Sequence, residues 1–207
     1  MHTTWKRTYE EITCLEVLAH ISHFEEKPFL TAWLKYFLSA TMVSSKPATL
    51  LSLSKIYGLK NLWSIYGKEC CNELKINFHH LHHCQNATCV LFYKEDILSE
   101  WIKKQENKNL LAEYGYNECS LEESLCLLEE CFKRGCPDEV GIFLGIPAVE
   151  VRAFCSPVRP PVKKTGYWQV FVDLKTSLKK FKDYDEAFKK IGKELMQQTV
   201  PLLTNTN

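Results

Sequence analysis

Apolar residues recur at helical spacing along most of the chain, and in two short stretches the period changes to two. Across residues 9–24, Ile12, Leu15, Leu18, Ala19 and Phe24 share one side of a helix that Pro28 breaks. Residues 29–38 predict a second, strongly apolar helix whose aromatics belong to a core. Ser44-Ser45-Lys46-Pro47 reads as a turn, and residues 48–53 fit either a short helix or an extended segment. Residues 59–74 are helical again, with Leu62, Ile65, Tyr66 and Cys70 on one face. Residues 75–78 then alternate, and residues 87–93 give the clearest strand; together they predict an antiparallel hairpin.

Beyond the hairpin, residues 95–104 carry Ile97, Leu98, Trp101 and Ile102 on a helix, with Glu100 placed to pair with Lys104. Ser120 and Glu123 form a capping box that opens a helix buried through Leu121, Leu125, Leu128 and Phe132 and ended by Gly135. Residues 167–172 predict a third strand. Residues 174–198 predict a lysine-rich amphipathic helix, or a pair, anchored by Leu178, Phe181, Ala187, Phe188, Ile191 and Leu195. The expected fold class is α+β, a small antiparallel sheet of about three strands packed with roughly five to seven helices. Residues 1–40 are expected as an N-terminal helical segment, 41–195 as the core domain and 196–207 as a frayed tail.

Composition narrows the function classes. A chain of 207 residues buries roughly 70% of its unfolded surface and needs no metal or disulfide merely to fold. The net charge of +1 creates no global field for nucleic acid or an acidic membrane. No apolar run nears the roughly 18 residues of a membrane span, and Met-His-Thr-Thr-Trp-Lys-Arg leads into no apolar signal core. The expectation is a cytoplasmic protein with a protein or small-ligand partner. In a reducing compartment the ten cysteines (14, 70, 71, 84, 89, 119, 126, 131, 136 and 155) are thiols rather than a disulfide framework, and no C-x-x-C occurs.

The densest ligand set is Phe78-His79-His80-Leu81-His82-His83-Cys84. Continued alternation would project His80, His82 and Cys84 on one face, with Cys89 returning on the partner strand. Two imidazoles and two thiolates offer a tetrahedral site for zinc or iron, and imidazole can ligate haem. The plainer alternative is a polar hairpin end with solvated histidines. Cys136 lies just before a proline and a helix start, where a lowered thiol pKa would make a nucleophile for a redox or thiol enzyme. Asp138 and Glu139 are catalytic candidates too, although acids at a helix N-terminus have an ordinary structural use. Residues 140–152 echo a helix-turn-helix, yet its second helix offers one cation, Arg152, beside Glu150. Phosphate-binding and nucleophile-elbow motifs are absent. Tyr167-Trp168 and the proline-rich stretch before it fit an interaction module.

Three separated pieces resemble one bacterial family. They are Lys46-Pro47-Ala48-Thr49-Leu50-Leu51-Ser52-Leu53; Cys89-Val90-Leu91-Phe92-Tyr93 with Tyr114-Gly115-Tyr116; and Asp138-Glu139-Val140-Gly141-Ile142-Phe143-Leu144-Gly145-Ile146-Pro147 with Gly166-Tyr167-Trp168-Gln169-Val170-Phe171. The family is the domain of unknown function numbered three-seven-nine-three, found mostly in anaerobic Firmicutes. Its pattern places a histidine where this chain has Asp138, a tyrosine for Ile146, a lysine for Gln169 and a tyrosine for Phe171. The resemblance spans about residues 40–190 and implies a shared fold without an activity, substrate or cofactor. The reading is a binding or accessory protein, with a metal or haem contact at the hairpin as its sharpest form.

Overall fold

The alternating stretches pair with each other. β2 (Asn77–His83) and β3 (Ala87–Tyr93) form the antiparallel hairpin, and β1 (Ala48–Ser54) joins the far edge of β3 in the order β1-β3-β2. This computed structural model describes residues 12–55 and 57–199. The ambiguous run at 48–53 is therefore a strand. Its neighbour β3 buries Thr88, Val90, Leu91 and Phe92, so its backbone groups need partners on both edges.

Ten helices among the described residues cover the sheet. α1 (Cys14–Ile21), α2 (Glu26–Phe37), α3 (Ser39–Val43) and α4 (Leu59–Leu74) come from the first third of the chain. α5 (Glu95–Ile102), α6 (Gln105–Glu113), α7 (Leu121–Phe132), α8 (Val140–Phe143) and α9 (Ala148–Cys155) follow the hairpin, and α10 (Leu174–Met196) closes the fold. On one face of the sheet, Leu30 and Leu34 of α2 and Trp63 and Cys70 of α4 pack with Val90 and Phe92. On the other, Leu125 and Leu128 of α7, Ile142 and Phe143 of α8 and Val151 of α9 pack with Leu81 and Leu91. α10 joins α1 and α2 through Val17, Ile21, Tyr36, Ile191 and Leu195. The architecture is α+β, as expected. No described helix is long and apolar enough to cross a membrane.

The helices are more numerous than the periodicity suggests because the chain breaks between apolar stretches. Leu38 separates α2 from α3, and Lys103-Lys104 separates α5 from α6. Gly145 at φ +85° and Pro147 separate α8 from α9. One expected pair is lost this way. Lys104 is the N-cap of α6 rather than part of α5, and its ammonium lies 4.8 Å from the Trp101 ring instead of bridging to Glu100.

The expected third strand at 167–172 also needs correction. Only β5 (Gln169–Val170) forms, and it pairs with β4 (Lys164–Thr165) in a separate two-stranded ribbon. Trp168 turns inward, its ring 4.5 Å from that of Phe181 and its indole N–H donating to Ser177 Oγ at 3.3 Å. The next amides do not continue a ladder. Phe171, Val172 and Asp173 all donate to the carboxylate of Glu150, at 2.6 Å, 3.1 Å and 2.6 Å. Glu150 is 1% exposed, on α9. Asp173 then accepts from the Thr176 N–H at 3.0 Å and caps α10.

Glu150→Ala is expected to destabilise the protein by about 3 kcal/mol or more in urea unfolding, because it strands several amides in a buried turn. A loss below about 1 kcal/mol would mean that those amides find other partners.

Candidate functional site

α7 ends at Phe132, and Gly135, at φ +125°, turns the chain so that Cys136-Pro137 leads back towards the sheet. Glu139, the N-cap of α8, is thereby drawn inside, 4% exposed. Between this turn and the end of α6 lies a cleft of about 320 Å³, lined by Tyr114, Cys131, Arg134, Cys136, Pro137 and Glu139. It lies on the sheet face carrying Leu81 and Leu91, since Cys89 of β3 bears on the Cys136 thiol.

Two tyrosines tie the acids and thiols together. The Tyr116 hydroxyl donates to Glu139 Oε1 at 3.3 Å, and it also meets Cys131. Burial and the Glu139 charge push the Tyr116 phenol well above its ordinary range. Tyr114 hydrogen-bonds the Cys155 sulfur, and Asp138 bears on both groups. Across the opening, the hydrogen bond of the Arg134 guanidinium among the described residues is a weak 3.9 Å contact to Cys131 Sγ.

Of the candidates, Cys136, Asp138, Glu139 and Cys89 all belong to this neighbourhood, but the chemistry expected of Cys136 is reversed. α8 spans four residues and starts at Val140, so no long helix points its N-terminus at the sulfur. Loss of solvent, then the neighbouring Cys89, Asp138 and Glu139, raise the Cys136 thiol above the ordinary range. Burial raises Cys155 as well, and pushes Cys71 up to about 12. All ten cysteines are free thiols. Tyr114, Cys131 and Arg134 were not singled out as site residues; the Tyr-Gly-Tyr piece was the signal available for the first.

The hairpin histidines do not share a face as the alternation implied. A β-bulge at Leu81 shifts the register, so that His80 pairs with Val90 but His82 pairs with Cys89. Val90 faces α4 and Leu91 faces α7, and the extra residue sends His80 and His82 to opposite sides. His80 Nε2 accepts from the Trp63 indole N–H at 3.1 Å, and burial lowers the imidazole's pKa. His79 pairs with Glu129 of α7 at 2.9 Å, and His83 Nδ1 meets Thr88 Oγ1 at 2.9 Å. Cys84 is exposed beyond the strand end. The set His80, His82, Cys84 and Cys89 is thus spread over two faces and a turn, and no group of three or more His, Cys, Asp or Glu among the described residues is arranged to hold a metal ion. In the helix-turn-helix echo, Arg152 is engaged by Glu113 through two hydrogen bonds of 2.9 Å and 2.7 Å, and Glu150 is inside the fold.

The sequence profile of a family described as "Protein of unknown function (DUF3793)" matches residues 34–203. The chain belongs to this family. No curated protein and no solved structure matches the chain. The DUF3793 match begins within α2 and takes in every residue that lines the cleft.

The thiols supply a direct check. Cys136 is expected to react with iodoacetamide more slowly than an ordinary thiol at neutral pH, and to accelerate only as pH rises above the ordinary thiol range of about 8.5. Cys84 is expected to react faster, because the Asn86 and Ala87 amides and Lys60 lower its pKa. Peptide mapping that ranks Cys136 above Cys84 would contradict this electrostatic picture.

Proposed function

We propose that the chain is a binding protein whose cleft takes a small polar ligand carrying a cationic group for Glu139 and an anionic group for Arg134. The observation that carries this reading is the state of Glu139. A carboxylate that is 4% exposed needs donors, yet its hydrogen bond among the described residues is one long contact, 3.3 Å, from Tyr116. Glu150, equally buried, is saturated by three amides. The unmet capacity of Glu139 opens onto the cleft, where a ligand ammonium could use it.

Arg134 complements it, with no carboxylate partner of its own among the described residues. A volume of about 320 Å³ suits a ligand of amino-acid size. The raised thiols argue for recognition over nucleophilic attack, since a protonated Cys136 is a weak nucleophile at neutral pH. That supports the reading as a binding or accessory protein.

Ligand-observed NMR with a panel of free amino acids and small amines at millimolar concentration tests the proposal. At least one compound is expected to bind, with affinity falling about ten-fold or more in Glu139→Gln, as loss of a buried charge-assisted bond requires. Arg134→Gln should weaken the amino acids and spare the simple amines. Absence of binding across the panel, or unchanged binding in a folded Glu139→Gln, would overturn it.

A further inference from the structure

The net charge of +1 conceals an uneven distribution. Between Val158 and Lys182 stand seven lysines and arginines and a single acid, Asp173, which caps α10. The strip is continuous through its contacts. Arg159 Nε donates to the Phe154 carbonyl, near the end of α9, at 2.8 Å, and its guanidinium lies 4.1 Å from the Phe154 ring centroid. Further along, the Lys163 N–H donates to the Val170 carbonyl at 2.8 Å and Lys163 Nζ to the Val172 carbonyl at 2.7 Å. These bonds hold the proline-rich stretch against the chain just ahead of α10. β4 then pairs with β5, and Glu150 fixes the turn that follows.

Two features set this strip apart. Its cations lack carboxylates: Arg159, Lys163, Lys164, Lys175 and Lys179 form no ion pair among the described residues, whereas Lys27, Lys35, Lys108, Lys133 and Arg152 elsewhere each meet a glutamate. Its apolar side chains are bare. Val158 is 85% exposed, and Val162, Val172, Leu174 and Leu178 lie between 37% and 48%. Leu174 and Leu178 stand one turn apart on one side of α10, and Lys175 and Lys179 make the adjoining row. Pro157, Pro160 and Pro161 restrict the backbone that carries the valines, so little freedom remains to be lost on docking.

We propose that this strip docks on an anionic lipid surface, with the aliphatic side chains entering the interfacial layer and the cations meeting the headgroups. Bare aliphatics beside unpaired lysine and arginine suit such a surface, because apolar burial and attraction to anionic headgroups act together there. Nucleic acid would use the cations, but its phosphates gain nothing from exposed valines and leucines. An acidic peptide docks in a groove with walls, and Val158 stands clear of its surroundings. The contact is peripheral, since no described helix is long and apolar enough to cross a membrane. It is also separate from the cleft, because none of these residues lines it.

The test is co-sedimentation of the full chain with vesicles of phosphatidylcholine alone and of phosphatidylcholine with roughly one third phosphatidylserine. The chain is expected to bind the mixed vesicles at least about ten-fold more tightly, and to lose that preference as salt rises from about 0.05 to 0.5 M and screens the exposed charges. Lys164→Glu combined with Lys175→Glu should weaken binding about ten-fold or more. Lys55→Glu combined with Lys68→Glu makes the same change in net charge at exposed positions outside the strip, and should cost less than about three-fold. Val158→Ser with Val162→Ser should weaken binding about three-fold or more and leave its salt dependence in place. No sedimentation, equal binding to the neutral vesicles, or equal loss in the two charge variants overturns the proposal. So does retention on immobilised poly-glutamate without vesicle binding, which would assign the strip to an acidic protein partner.

Discussion

A buried carboxylate fixes how the second half of this chain closes on the first. Glu150 could have stayed in water on a short helix. Instead its side chain lies among the amides of Phe171, Val172 and Asp173, immediately ahead of α10, where the helix's own unpaired N–H groups favour negative charge. Three donors offset the cost of taking a carboxylate from water; with fewer the burial would be unfavourable. The contact decides where α10 starts. α10 in turn packs on α1, α2 and α3, so the N-terminal helices and the turn after β5 are referred to the same point.

Two acids only eleven residues apart show how hydrogen bonding separates a structural group from a group available to a ligand. Glu150 and Glu139 are both inside, at 1% and 4% exposure. The first has its acceptor capacity filled by backbone that cannot move without unwinding α10. The second has one long bond to a phenol and an opening beside it. Burial by itself distinguishes nothing here; the census of donors does. The thiols differ in surroundings too: loss of solvent, then the neighbouring Cys89, Asp138 and Glu139, raise the Cys136 thiol, whereas backbone amides lower that of Cys84.

Much of the fold could be read from the residues because period and caps are local. The hairpin follows from alternation, and the capping box at Ser120 and Glu123 forms as its spacing requires, with bonds of 2.7 Å and 3.2 Å. The failures have a common cause in side chains and amides choosing distant partners. Residues 167–172 have strand character, but Trp168 prefers Phe181 and the following amides prefer Glu150. A bulge of one residue at Leu81, invisible in composition, was enough to part His80 from His82. Of the residues lining the cleft, Cys136 and Glu139 lie in the stretch whose local order stands out in the sequence. Arg134 and Cys131 do not, because they lie at and just beyond the end of α7 and only the backbone reversal at Gly135 brings them alongside.

The segment between Glu139 and Pro147 connects these observations. One end supplies the under-bonded acid of the cleft and the other supplies Gly145, against which Pro47 and Tyr184 rest. Between them α8 is buried throughout, with Ile142 and Phe143 at 0% exposure and the Ile142 carbonyl accepting from the Trp101 indole at 2.7 Å. So short a helix has little stability of its own, and its shape is imposed by the core around it. A Cβ at Gly141 would stand 3.0 Å from Val151 Cγ2, which keeps α8 and α9 at close approach. Two glycines four residues apart therefore do different work: Gly141 lets helix meet helix, and Gly145 lets the chain turn against Pro47. The cluster of local order in the third family-like piece is the signature of backbone that must pass through a crowded interior.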